Sequence, residues 1–219
     1  MTIPRIYRND RERILANYTF TEVISGTGYL KLYGINTVNI STFDYHLIGQ
    51  QVFSNDQATK GDTASGTFTK IIDLDFDIEF GFPQTLKGTA IVNIPNGFST
   101  TGNYQTYVIA RLTHIDADAT ETQIGADQQT DTLNYSGEGL PGGDAEVAAL
   151  RIPITTTKIK RGETIRLTTE MWMRNTGSVT DGVGEIGHDP TGAPTTILSK
   201  AEGAQSTALA LWLPIKIDL

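Results

Sequence analysis

Residues 67–80 carry the clearest period-2 pattern in the chain. Phe68, Ile72, Leu74, Phe76, Ile78 and Phe80 fall on one phase, and Thr69, Ile71, Asp73, Asp75, Asp77 and Glu79 on the other. Successive side chains of a strand point to opposite faces, so this is a strand with one apolar and one acidic face. A slip of one residue would bury four carboxylates, each at a cost of several kcal/mol or a forced protonation. The register of this segment is therefore tightly specified, and any fold must place its acidic face away from the core.

The rest of the chain reads as further strands separated by turn chemistry. Segments 18–24 and 29–33 flank Ser25-Gly26-Thr27-Gly28 and read as a hairpin. Strands are expected at 45–53, 86–94, 104–115, 119–124, 146–154, 164–173 and 207–217, with Pro95-Asn96-Gly97 as a turn and 158–163 as a charged turn. Segments 125–144 and 174–206 read as long loops, and loops of such length are usually functional. Asn9 and Glu12 have the spacing of a capping box, so the first residues form either a short helix or an extended arm. The whole predicts an all-β fold of roughly eight to ten strands: a single jelly-roll-type β-sandwich over 18–219, preceded by an arm at 1–17.

Composition narrows the function. The chain has no cysteine, which removes disulfides, thiolate metal sites and cysteine nucleophiles. Its formal charge is −8. The arm opposes that trend, with Arg5, Arg8, Arg11 and Arg13 against Asp10 and Glu12. An acidic body argues against direct nucleic-acid binding. No apolar run nears the roughly 20 residues that cross a membrane, and the N-terminus has no apolar signal region. Synthesis in a cytoplasm, followed by assembly, is the expectation.

Few constellations point to chemistry. Asp73, Asp75, Asp77 and Glu79 are the ligand type that calcium prefers, yet alternate strand residues stand roughly 7 Å apart and do not converge. Asp116, Asp118, Glu121, Asp127 and Asp131 lack the spacing of a calcium loop. His46, His114 and His188 are far apart, with no metal-ligand spacing. There is no GxSxG, and Gly26-Thr27-Gly28 lacks the third glycine of a dinucleotide loop. These absences predict no cofactor, no metal and no enzyme. Trp172 and Trp212 fall on the less apolar phases of their strands and are candidate contact residues, as tryptophan is enriched at protein and sugar contacts. A carbohydrate-binding or host-adhesion module, with Trp172 beside Tyr104 or Tyr107, is the rival reading.

The opening Tyr18-Thr19-Phe20-Thr21-Glu22 with Gly26-Thr27-Gly28-Tyr29, and the closing strand 209–217, resemble auxiliary virion proteins of tailed bacteriophages. The resemblance implies a capsid decoration, cement or minor capsid-associated protein of the virion, and a homo-oligomer with threefold symmetry favoured. Its partners would be copies of itself and the major capsid or another virion protein. Under that expectation Arg5, Tyr7, Arg8, Arg11 and Arg13 of the arm join Trp172 and Trp212 as partner-binding residues, because an arm that orders on binding covers a large surface.

Overall fold

The computed structural model describes residues 26–39, 42–49, 58–63, 66–99, 102–135, 144–177, 182–188 and 208–216. Thirteen strands run along them, and no helix occurs among the described residues. The strands are β1 (Thr27–Asn39), β2 (Thr42–Ile48), β3 (Ala58–Thr63), β4 (Thr69–Glu79), β5 (Gln84–Ser99), β6 (Tyr104–Ile115), β7 (Glu121–Gln123), β8 (Gln128–Gln129), β9 (Leu133–Tyr135), β10 (Asp144–Ile159), β11 (Thr164–Asn175), β12 (Gly182–Gly187) and β13 (Ala210–Lys216). The arm at 1–17 and the strand expected at 18–24 lie outside the described residues, as do 178–181 and 189–206 of the expected long loop.

The all-β expectation stands. Strand pairing draws one continuous mixed sheet in the order β3-β12-β5-β13-β1-β2-β4-β11-β6-β7, with β10 on β5 and β8 and β9 on β6. The pairs are antiparallel except β2 with β4, which meet in parallel at His46 and Asp77. The sheet curls until its two ends touch. The Thr155 amide donates to the Ile124 carbonyl at 3.1 Å, tying the β10 side to the segment after β7. The free edge of β6 is covered piecewise by β7, β8 and β9, and short edge strands leave little to pair with another chain.

Inside the curl lies one hydrophobic cluster, with Leu30, Leu32, Phe76, Val92, Ile94, Leu112, Ile152, Leu167, Met171, Leu211 and Leu213 among its members. β11 is its spine. It pairs along its length with β4 on one side and β6 on the other. Ile165, Leu167, Met171 and Met173 are fully buried, as their phase requires.

Three readings are corrected. The register of β11 against β4 shifts between Met171 and Trp172, so Met171 faces Ile72 but Trp172 faces Lys70. Ile71 is the extra residue of a β-bulge, and a bulge reverses the phase of everything before it. Ile71 therefore packs against the core, while Phe68 leaves it for the acidic face. The turn expected at Pro95-Asn96-Gly97 is instead continuous strand in β5, paired to β10 on one side and to β12 on the other. Two flanking strands override local turn chemistry there, and the buried Asn96 amide donates to the Ile94 carbonyl at 3.2 Å. Finally, β8 and β9 lie within the segment 125–144, and β12 within 174–206, where only loop was expected. A Cβ on Gly184 would sit 2.5 Å from Ile71 Cδ1 and 2.7 Å from Met171 Sδ. Its glycines are a close-packing requirement rather than a loop signal.

Gly61 of β3 gives the test of this packing. A Cβ there would collide with the backbone carbonyl of Ile71, whereas Gly66 has open space around it. Gly61→Ala is expected to destabilise the fold by about 1–3 kcal/mol in urea unfolding, and Gly66→Ala by less than about 0.5 kcal/mol.

Candidate functional site

The outward phase of β4, β11 and β6 forms a polar grid whose rows are cross-strand neighbours. Asp77, Arg166 and Thr113 make one row, Asp75, Thr168 and Arg111 the next, and Asp73, Glu170 and Ile109 the third. The carboxylates of β4 are answered by groups around them. Arg166 holds Asp77 bidentately, Nε to Oδ1 at 2.8 Å and a second nitrogen to Oδ2 at 2.9 Å, and also reaches Glu121 at 2.9 Å. Its proton is held well above the ordinary range, chiefly by the Asp77 hydrogen bonds. The Thr168 hydroxyl donates to Asp75 at 2.5 Å, and Lys70 Nζ lies 2.5 Å from Asp73. Arg111 clamps Asp127 at 2.7 and 2.9 Å and thereby lowers the Asp127 pKa.

At the centre of the grid Glu170 is buried. Its carboxylate accepts the Trp172 indole N–H at 2.7 Å and lies 3.5 Å from Lys70 Nζ and 3.7 Å from Arg111. Burying that charge is tolerable because three donors surround it. Trp172 is thus fixed by its own strand neighbour. It stacks on Tyr107 at a centroid distance of 6.0 Å, Tyr107 leans on Phe68 at 4.9 Å, and Arg174 lies over the Phe68 ring at 4.6 Å. Burial, with the Glu170 charge second, pushes the Tyr107 hydroxyl pKa up. The result is a half-exposed aromatic row beside an ion-pair network. Among the described residues no group of three His, Cys, Asp or Glu is placed to hold a metal ion.

The second tryptophan lies on a different strand pair. Trp212 of β13 pairs with Lys31 of β1, whose Nζ stands 5.0 Å from the Trp212 ring and 4.9 Å from that of Tyr33. The structure does not bring Trp172 and Trp212 together, since their strands do not pair. Arg5, Tyr7, Arg8, Arg11 and Arg13 lie outside the described residues.

The histidines sit in three separate settings. His46 is half-buried on β2. His114 ends β6 and shares a 2.8 Å hydrogen bond, through Nε2, with the buried carboxylate of Glu163. Glu163 also accepts the Lys160 amide at 2.8 Å, and this bond, more than His114, holds its pKa below the usual range. The pair pins the β10–β11 turn onto β6. His188 is enclosed, with Nε2 3.3 Å from the Thr59 hydroxyl, which is 2.9 Å from Tyr45 Oη. Glu170, Glu163 and Thr59 had no signal in the sequence, because the strand pairings that recruit them span long separations.

No family model matches the chain, and no curated protein does. Solved structures do. A CocE/NonD family hydrolase from Staphylococcus aureus is 13% identical and overlays 87% of this chain on 36% of its own, with a TM-score of 0.52. An aminopeptidase from a marine sediment Thaumarchaeota archaeon is 8% identical over 88% of this chain and 37% of that one, at TM-score 0.49. The VP2 subviral particle of infectious bursal disease virus is 12% identical over 84% of this chain and 43% of that one, at TM-score 0.24. The chain thus spans little more than a third of the length of that hydrolase. The fold-level likeness to a hydrolase overturns the expectation of a virion structural protein, whether capsid decoration or cement, together with the adhesion-module rival and the expectation that the chain is no enzyme. The phage resemblance covers only short motifs at the chain ends. The viral likeness goes no further than the low score for VP2.

Two carboxylates of this fold titrate in opposite senses. Glu163 is depressed, so its contribution is present above the ordinary Glu value of 4.5 and is lost as pH falls through its folded pKa. Glu146 is raised, by burial against a weaker Asn96 hydrogen bond, so it costs stability as pH rises from 4.5 through its folded pKa. Glu163→Gln is expected to lower the thermal midpoint near neutral pH and flatten its decline in acid, and Glu146→Gln to raise the midpoint near neutral pH. Calorimetry across the acid range reads both.

Proposed function

We propose that the chain is the jelly-roll-type β-sandwich unit of a hydrolase, working with the part of such an enzyme that has no counterpart in it. The observation that carries this reading is the overlay of 87% of the chain on 36% of a CocE/NonD family hydrolase. The curl of the sheet around one core supports the sandwich description, because residues from β4, β6 and β11 meet residues from β1, β5, β10 and β13 there.

Hydrolysis by a covalent route needs a nucleophile within reach of a base and a path for substrate. Thr59 and His188 are a hydroxyl–imidazole pair at 3.3 Å, but His188 is fully enclosed. His114 is committed to Glu163. The reading therefore assigns the reacting groups to the unmatched part of the enzyme and gives this unit the task of supporting it.

The test is to purify the chain from its native cells under mild conditions, with whatever is joined or bound to it. The material is assayed on p-nitrophenyl esters and aminoacyl p-nitroanilides and labelled with a fluorophosphonate. Turnover with a labelled polypeptide that co-elutes with the chain is expected. Material with neither turnover nor label would remove the hydrolase reading.

A further inference from the structure

The charges of this chain are sorted by strand. β1, β5 and β13 contain no carboxylate at all. β4 alone contains four. The cross-strand row Lys31, Trp212, Ile91 and Arg151 runs over β1, β13, β5 and β10, so these side chains share one outward face. Lys31 and Arg151 are exposed, as are Lys87 of β5 and Lys158 of β10. Among the described residues none of these four cations forms an ion pair, whereas Lys70, Arg111 and Arg166 on the acidic grid are all paired. A chain of net charge −8 thus presents a basic face centred on an aromatic pair, Trp212 and Tyr33.

We infer that this face docks on the acidic β4 face of a second copy of the chain, head to tail. The match is in sign and in kind. One surface offers cations without an ion pair around a tryptophan, and the other offers exposed Glu79 together with Asp73 and Asp75, which are exposed and already paired with Lys70 and Arg166. Tryptophan and arginine are the residue types that dominate binding energy at protein interfaces. The net charge of the two copies opposes association, but most of it lies beyond the Debye length of about 8–10 Å at moderate salt, while contacting faces lie within it. Two different surfaces meet in such a contact, so it leaves one of each free and extends to a ring or a filament. This assembly is independent of the hydrolase reading, since it rests on the charge pattern alone.

Sedimentation velocity on the intact chain tests it. The wild type is expected to associate as concentration rises at about 20 mM salt and to dissociate at least about tenfold more readily at about 500 mM. The double variant Lys31→Glu with Arg151→Glu should be monomeric, as should Asp75→Lys with Glu79→Lys. Mixed, the two should associate again, because each keeps the surface the other has lost and their reversed charges also match. The first variant breaks no contact within the fold beyond Lys31 against the two rings, and an unchanged thermal midpoint checks that. A wild type that stays monomeric in low salt would overturn the inference. So would association unaffected by the Lys31 and Arg151 changes, a mixture that fails to pair, or a monomer that uses the same face to bind heparin or duplex DNA.

Discussion

Everything else in this structure depends on β11 lying between β4 and β6 with its apolar phase inward. Ile165, Leu167, Met171 and Met173 enter the core from that strand, while Arg166, Thr168, Glu170, Trp172 and Arg174 stand on the other side. Slipping β11 by one residue would bury two arginines and a glutamate and expel four apolar side chains. The polar grid adds little energy per exposed pair, about 0.2–1 kcal/mol on general experience. Its effect is on register, because Asp75 and Asp77 of β4 meet Thr168 and Arg166 of β11 in a single alignment.

That alignment also decides where surface chemistry appears. With the acids of β4 outward, Arg166 of β11 is paired with Asp75 and Asp77, while Arg111 of β6 is paired with Asp127 and Glu170. The cations of β1, β5 and β10 have no such neighbours, because β1, β5 and β13 carry no acid. Two opposed surfaces follow from one constraint, each with a tryptophan on it. A β unit with such faces is suited to holding other protein parts in place, the role proposed for it above.

Much of the fold was legible in the sequence where a single strand carried its own pattern. The strand at 104–115 coincides with β6, and the alternation of 164–173 and 207–217 places the correct residues inward in β11 and β13. Legibility failed where partners decide. Ile71 looks like a member of the acidic phase until the bulge turns it inward, and Phe68 looks like core until the same bulge turns it out. Pro95-Asn96-Gly97 is turn chemistry that two flanking strands hold extended. Of the site, Trp172 and Trp212 were visible as outward aromatics, but Glu170 was only one more alternating residue. What makes it central is the arrival of Lys70 and Arg111 from strands far away in sequence. Function was the least legible, since the short motifs at the chain ends pointed to a virion, whereas the fold-level likeness is to a CocE/NonD family hydrolase.

The bulge at Ile71 carries both the register and the aromatic row, and the absence of cysteine makes it directly measurable. Cysteine pairs introduced at 70 and 172, and separately at 71 and 172, are oxidised and scored for cross-linking. Directly opposed strand residues have Cα atoms about 4.5–5.5 Å apart, inside the range a disulfide spans. Lys70→Cys with Trp172→Cys is expected to close readily, and Ile71→Cys with Trp172→Cys to stay reduced because its thiols point to opposite faces. Closure of the 71–172 pair with the 70–172 pair open would mean that no bulge exists, and that Phe68 belongs to the core.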